Sequence, residues 1–241
     1  MPKTAGILLI GNEILSGKVI DANAAYLCRE LRPLGVDVRR ITVIPDEVDL
    51  IAREVAHLSR EFDVVFTSGG VGPTHDDVTM EGVARAMGVP VVRHPHLAGL
   101  LERHLGARLT EAHLKMADVP QGCDLVGESL RFPSIQVKNV YVLPGVPEIF
   151  REKFEALRDR FRDEPFHLKN VFVSIGEGTL ADFLNGLLRD FPVLMLGSYP
   201  EFGNPEYRVK VTLESRDRDY VERALAEFLK RLPAGAIVRV A

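Results

Sequence analysis

Gly69-Gly70-Val71-Gly72-Pro73-Thr74-His75-Asp76-Asp77 places flexible backbone and paired carboxylates in one short run. Glycine lets backbone N–H groups approach an anion closely, and a following helix N-terminus adds unpaired donors and a positive dipole end. Asp76 and Asp77 would repel that anion unless a divalent cation lay between them, and hard oxygen ligands favour magnesium or manganese. The chemistry indicated is a phosphate held by the amides of Ser68 to Gly72 and bridged by a metal to the carboxylates. The same residues could instead build a Gly-Pro turn followed by an aspartate N-cap.

The elements that must position this run are legible in the hydrophobic spacing. Asp63 to Thr67 is a short β-branched run, and Val83, Ala84 and Met87 carry helical spacing before Gly88, so the glycines sit on a strand-to-helix loop. Gly6 to Ile10 predicts a strand, followed by a helix with Ala24, Leu27, Cys28 and Leu31 on one face. Val36 to Ile44 predicts a strand, then Pro45-Asp46 opens a helix whose face is Val48, Ile51, Ala52 and Val55. Val140 to Leu143 is another buried-type strand, and Pro147 stands near the first position of the helix after it.

This alternation predicts an α/β fold, a three-layer αβα arrangement with a mainly parallel sheet. Glu13, Asp46, Asp76, Asp77 and Gly145 follow different strands, so such a sheet would gather them along its carboxyl edge. Individually, Asp46 could simply cap its helix and Pro144-Gly145 could simply turn the chain. Between Val89 and Val137 the pattern blurs, and irregular structure is expected around a helix at Leu97 to Leu105. After residue 165 the order becomes strand, helix, strand, strand, helix, strand, which matches a small βαββαβ ferredoxin-like unit. Domains are therefore expected at 1–165 and 166–241.

Bulk properties exclude several classes. A formal net charge of -4 and a pI near 6.0 are not a nucleic-acid footprint. With 46% hydrophobic residues, mean hydropathy of +0.04 and no apolar run near the ~20 residues of a membrane span, a cytoplasmic globular protein with no membrane partner is expected. Cys28 and Cys123 are isolated, which suggests neither a zinc site nor a disulfide framework.

Two nucleotide motifs fail. From Gly11 to Lys18 five residues separate the glycines where a P-loop has four, and Val19 stands where Ser or Thr would bind magnesium. His75 occupies the third glycine position of a dinucleotide-binding fingerprint. His94-Pro95-His96 lacks a third ligand nearby in sequence. Arg131-Phe132-Pro133 could clamp a phosphate, stack on a base or anchor a loop.

Taken together, Gly11-Asn12-Glu13-Ile14-Leu15, Asp21-x-Asn23, Ile44-Pro45-Asp46-Glu47, Gly69-Gly70-x-Gly72-Pro73-Thr74-x-Asp76-Asp77-x-Thr79 and Leu143-Pro144-Gly145-x-Pro147 resemble the MoaB/Mog, molybdopterin-binding-type family. Within it the chain is similar to the amino-terminal domain of CinA and, more closely, to the molybdopterin-binding-like domain of eukaryotic FAD synthases. The latter likeness runs on through Arg131-Phe132-Pro133, Asn139-Val140-Tyr141, Leu196 to Pro200, Tyr207 to Ser215 and Arg231-Leu232-Pro233.

The resemblance implies acidic catalytic positions at Asp46 and Asp77, and metal-dependent cleavage of ADP-ribose or FAD to release AMP. On that reading Gly11, Asn12, Ser68, Gly69, Gly70, Gly72, Pro73, Thr74, Gly145 and Pro147 bind the nucleotide, and Glu13, Asp76 and Asp77 hold Mg²⁺, Mn²⁺ or Co²⁺. Asp76 would also support catalysis, and Asp46 would act as general base or second metal contact. The expected partner is a small-molecule adenine dinucleotide or nucleotide-sugar, and the expected state a homodimer. Asn12 replaces an aspartate common in the family, which shifts weight onto Glu13. Residues 1–241 lack CinA's deamidase domain and the adenylyl-transferring domain of FAD synthase, so neither NMN deamidation nor FAD synthesis is expected. Molybdopterin binding or adenylylation, and non-catalytic nucleotide sensing, are the alternatives.

Overall fold

Lys3–Ile10 forms strand β1, and its last six residues are buried because strands pair along both of its edges and helices cover both faces. A single helical turn α1 (Asn12–Leu15) and helix α2 (Asn23–Leu31) lead to strand β2 (Val36–Ile44). Helix α3 (Val48–Glu61), strand β3 (Val64–Ser68) and helix α4 (Thr79–Met87) follow. Then come β4 (Val91–Arg93), α5 (Pro95–Leu105), the short α6 (Glu111–Leu114), β5 (Asp118–Pro120), β6 (Asp124–Val126), β7 (Ser134–Val137), β8 (Val140–Leu143) and α7 (Pro147–Leu157). The structure, a computed structural model, describes residues 2–127 and 130–241. Its residues divide into two units, Met1–Asp163 and Glu164–Ala241.

Among the described residues the main sheet runs β2-β1-β3-β8-β7-β6. Its first four strands are parallel, while β7 is antiparallel to β8 and β6 to β7. Strand alternation sorts the core into two layers. Ala5, Ile7, Leu9 and Phe66 pack with Leu27 of α2 and with Phe150 and Phe154 of α7. Leu8, Ile10 and Val65 pack on the other face with Ile51 and Val55 of α3, Val83 of α4 and Leu97 of α5. This is the expected αβα arrangement. The first layer holds an aromatic cluster in which Phe161 meets Phe66 and Tyr141 edge-on, each at 4.9 Å between centroids.

The stretch expected to be irregular is more ordered than its sequence indicates. It contributes β6 and β7 to the main sheet and β4 and β5 as a separate antiparallel pair, with positions 128 and 129 outside the described residues. These strands are three or four residues long, too short for hydrophobic alternation to declare itself. Their register comes from partners: the β7–β8 hairpin turns through Lys138, at φ 54, and Asn139. The Asn139 amide donates to Ser59 O and Phe62 O at 3.0 and 2.8 Å.

The second unit contains β9 (His167–Val173), α8 (Glu177–Asp190), β10 (Met195–Pro200), β11 (Val209–Ser215), α9 (Arg218–Arg231) and β12 (Ile237–Val240). Its antiparallel sheet runs β10-β11-β9-β12, the ferredoxin-like order. Val171, Val211 and Leu213 form its core with Leu180 and Leu187 of α8 and Phe228 of α9. No helix among the described residues is long and apolar enough to cross a membrane.

Candidate functional site

The carboxyl ends of β1, β2, β3 and β8 are tied together by their own backbone. Gly11 N–H donates to Ile44 O at 3.1 Å, and Gly69 N–H donates to Leu143 O at 3.2 Å. Gly69 has φ +104, and a Cβ there would stand 2.1 Å from Ile10 O. Only glycine fits that crossing. A Cβ at Gly145 would meet Gly69 Cα at 3.4 Å, so the loops after β3 and β8 are in contact.

Asn23 locks this floor from below. Its amide donates to Ser68 Oγ at 3.0 Å and to Gly145 O at 2.8 Å, and the residue is 4% exposed. The Asp21 carboxylate in turn accepts from the N–H groups of Asn23 and Ala24. The Asp21-x-Asn23 pair is thus one device for fixing the start of α2 against two loops. The Asp21-x-Asn23 motif is visible in the sequence, but the bridging role of Asn23 is not, because its partners lie 45 and 122 residues away.

Asp46 does not cap α3. Its Oδ2 accepts from Asn12 N–H at 2.8 Å, while α3 begins at Val48 without a side-chain cap. The carboxylate therefore links the ends of β1 and β2. The Glu13 carboxylate folds against Gly11, where a Cβ would lie 2.4 Å from its Oε1.

The acidic loop is organised by Thr74. Thr74 N–H donates to Asp77 Oδ2 at 2.8 Å, and its hydroxyl faces Asp76 Oδ1 at 2.6 Å and Asp77 Oδ2 at 2.5 Å. The hydroxyl has one proton to give. Neither aspartate caps α4; Thr79 instead donates from N–H to Gly70 O and from Oγ1 to Gly69 O. The Thr74 hydroxyl bond holds Asp76 below the usual carboxylate range.

A cavity of about 540 Å³ opens beside this loop, lined by Gly70, Gly72, His75, Asp77, Lys115 and Asp118 among others. Lys115 Nζ donates to Thr74 O, which brings a cation to the loop. Lys115 and Asp118 were not found by sequence reasoning, because they come from the stretch without periodicity. Asp118 is paired with Arg93 at 2.9 Å.

The structure therefore gathers Gly70, Gly72 and Asp77 around one cavity, with Thr74 and Asp76 bonded into its loop. Ser68, Gly69 and Gly145 form the adjoining floor. Gly11, Asn12, Asp46, Glu13, Pro73 and Pro147 are not among the described residues that line the cavity; Pro147 starts α7. The Gly69 amide is already committed to Leu143, which narrows the candidate anion cradle to Gly70 through Gly72. No group of three His, Cys, Asp or Glu side chains is assembled as a metal site among the described residues, His94 and His96 included. Asp76, Asp77 and the Thr74 hydroxyl nevertheless form a hard-oxygen set suited to a divalent cation, with two carboxylate oxygens flanking a single proton.

Comparison with known proteins agrees with this fold. Residues 6–163 match the family described as "Probable molybdopterin binding domain", and residues 165–241 match "FAD synthase, middle domain". The chain belongs to the molybdopterin-binding-domain family. A protein of Archaeoglobus fulgidus is 39% identical, covering 92% of this chain and 95% of the relative. A probable FAD synthase of Caenorhabditis elegans is 34% identical over 98% of this chain but only 51% of the relative, so the chain spans about half of that protein. Among solved structures, the protein CinA of unknown function from Thermoplasma acidophilum is 31% identical with a TM-score of 0.61. It covers 67% of this chain and 100% of that one.

Proposed function

We propose that the protein is a metal-dependent pyrophosphatase acting on an adenosine diphosphate compound, ADP-ribose or FAD, and releasing AMP. The observation that carries this reading is the cavity in which a glycine cradle, the Asp77 carboxylate and Lys115 meet beside the Thr74-centred acidic loop. The backbone of Gly70 to Gly72 binds one phosphate, and Lys115 offsets the charge of the diphosphate. Asp76 and Asp77 would hold Mg²⁺, Mn²⁺ or Co²⁺, which when bound neutralises phosphate charge and polarises the phosphoryl oxygens. A water oxygen forms a new P–O bond, the bridging P–O bond breaks, and its electron pair leaves with the second phosphate. The water proton passes to Asp77, the cavity-lining member of the pair. Asp46 acts as a positioning residue that holds the Asn12 N–H. The likeness to FAD synthases supports an adenine-nucleotide ligand.

The test is AMP release from ADP-ribose and from FAD with each metal and an EDTA control, in the wild type and Asp77→Asn. The expected outcome is metal-dependent release reduced about 100-fold or more in the variant, roughly 2.7 kcal/mol of transition-state stabilisation. Its unfolding free energy should stay within about 1 kcal/mol of wild type, because Asp77 caps no helix. No release from either compound overturns the reading. The family match favours pterin binding as a second reading, and copurification of a fluorescent pterin would support it.

A further inference from the structure

A second cavity of about 480 Å³, within the size range of small-molecule sites, adjoins the first, and Met116 lines both. Its floor is apolar, formed by Leu100 and Leu101 of α5, Met116 and the Phe132 ring. Lys153 fixes that ring: its Nζ lies 5.6 Å from the ring centroid and donates to Phe132 O and Pro133 O at 2.7 and 3.1 Å. The rim is Arg103, His104 and Arg131, and no Asp or Glu is among the described lining residues.

The charge of this rim is unanswered. Arg93, in the same part of the chain, is held by Glu111 at 2.6 Å and by Asp118 at 2.9 Å. Among the described residues neither Arg103 nor Arg131 has a carboxylate within ion-pair reach, and Arg131 donates instead to His104 Nδ1 at 2.5 Å. A guanidinium has no acceptor, so His104 accepts there and carries its own proton on Nε2. The rim is therefore a set of donors with two full positive charges.

Floor and rim select a ligand only when taken together. A neutral heterocycle covers the floor but leaves both guanidinium charges without a counter-ion, and its own N–H groups meet no acceptor. An inorganic anion answers the charge and leaves the floor in water. An organic acid does both: each CH₂ of its body that the floor covers contributes about 0.8 kcal/mol, and its head group accepts from a guanidinium fork.

We propose that this slot is a binding site for an amphipathic anion, an apolar chain or ring carrying one terminal carboxylate or phosphate, with Arg103 and Arg131 on the head group and Leu100, Leu101, Met116 and Phe132 along the body. The site is separate from the glycine-loop cavity and does not depend on what that cavity hydrolyses.

The test is calorimetric titration of the full-length protein with octanoate and with octyl phosphate, against octanol as the uncharged body, butanoate as the shortened one and inorganic phosphate as the head group alone. Saturable binding of either octyl acid is expected, at least ten-fold tighter than each of the three controls, and the tighter of the two acids identifies the head group. In the doubly substituted Arg103→Gln, Arg131→Gln protein the acid should bind at least ten-fold more weakly; both arginines are exposed, so the variant should keep its fold. AMP at equal concentration should not displace the acid. No saturable binding, octanol or inorganic phosphate binding as tightly as the acids, unchanged affinity in the folded variant, or displacement by AMP would each overturn the proposal, and the octanol and phosphate arms decide without any variant.

Discussion

The floor of the site and the acidic loop beside it are held by different kinds of bond. In the floor, backbone groups of separate strands bind one another, and a buried asparagine bridges two loops. In the loop, the bonds from Thr74 to Asp76 and Asp77 are exposed and span two or three residues. Contacts between distant parts of the chain form only when the whole sheet forms, so the floor shares the stability of the fold. Local exposed bonds exchange with water at little cost. A rigid floor and an adaptable acidic loop suit the proposed activity, which would require the site to place a phosphate accurately yet admit ions and release products.

Two glycines test that contrast most sharply. Gly69→Ala should cost about 4 kcal/mol or prevent folding, because the added Cβ meets a carbonyl in the sheet at 2.1 Å and the residue keeps a positive φ. Equilibrium denaturation checks this, and a loss below about 1 kcal/mol would show that the floor can move.

Lys153, whose Nζ donates to Phe132 O and Pro133 O, carries the next effect. Burial pulls its ammonium down to about 8 from the ordinary 10.5. The unfolded chain then binds more protons than the folded one between those values, so stability should rise as pH increases from about 8 to 10.5. The gain is on the order of 2–3 kcal/mol. Thermal melts across this window should show the rise in wild type and a flatter profile in Lys153→Met; parallel profiles would exclude the charge as the cause.

Asn23→Ala should follow at about 2 kcal/mol, since it leaves the buried Ser68 hydroxyl and Gly145 carbonyl short of a donor. Chemical denaturation measures it, and a neutral result would mean that the two loops do not depend on the bridge. Gly72→Ala should be the mildest, under about 1 kcal/mol, because its Cβ would meet only the Asp77 carboxylate at 2.7 Å. It should still slow AMP release by displacing that carboxylate, and unaltered turnover would sink the role given to Asp77.

Much of the architecture was legible in the chain. The strands and helices around the glycine run have the lengths and spacings at which periodicity speaks, and the βαββαβ order of the second unit could be read off in the same way. The short strands β4 to β7 were not legible. In the site, the glycines and the acidic pair could be identified, but their bonds could not. Asp46 seemed equally suited to capping α3, and only its contact with Asn12, 34 residues away in sequence, distinguishes the two. Lys115 lies 41 residues from Thr74 and carries no motif.

Residue order alone thus settled the alternation of elements, the placement of glycines on strand-to-helix loops and the chemical types available there, since these depend on local periodicity and backbone freedom. Folding in three dimensions settled which acid binds which amide, which lysine enters the cavity and where an apolar slot with a donor rim opens. Those outcomes depend on pairs of groups far apart in the chain, and their meeting is fixed by the packing of the sheet rather than by any local signal.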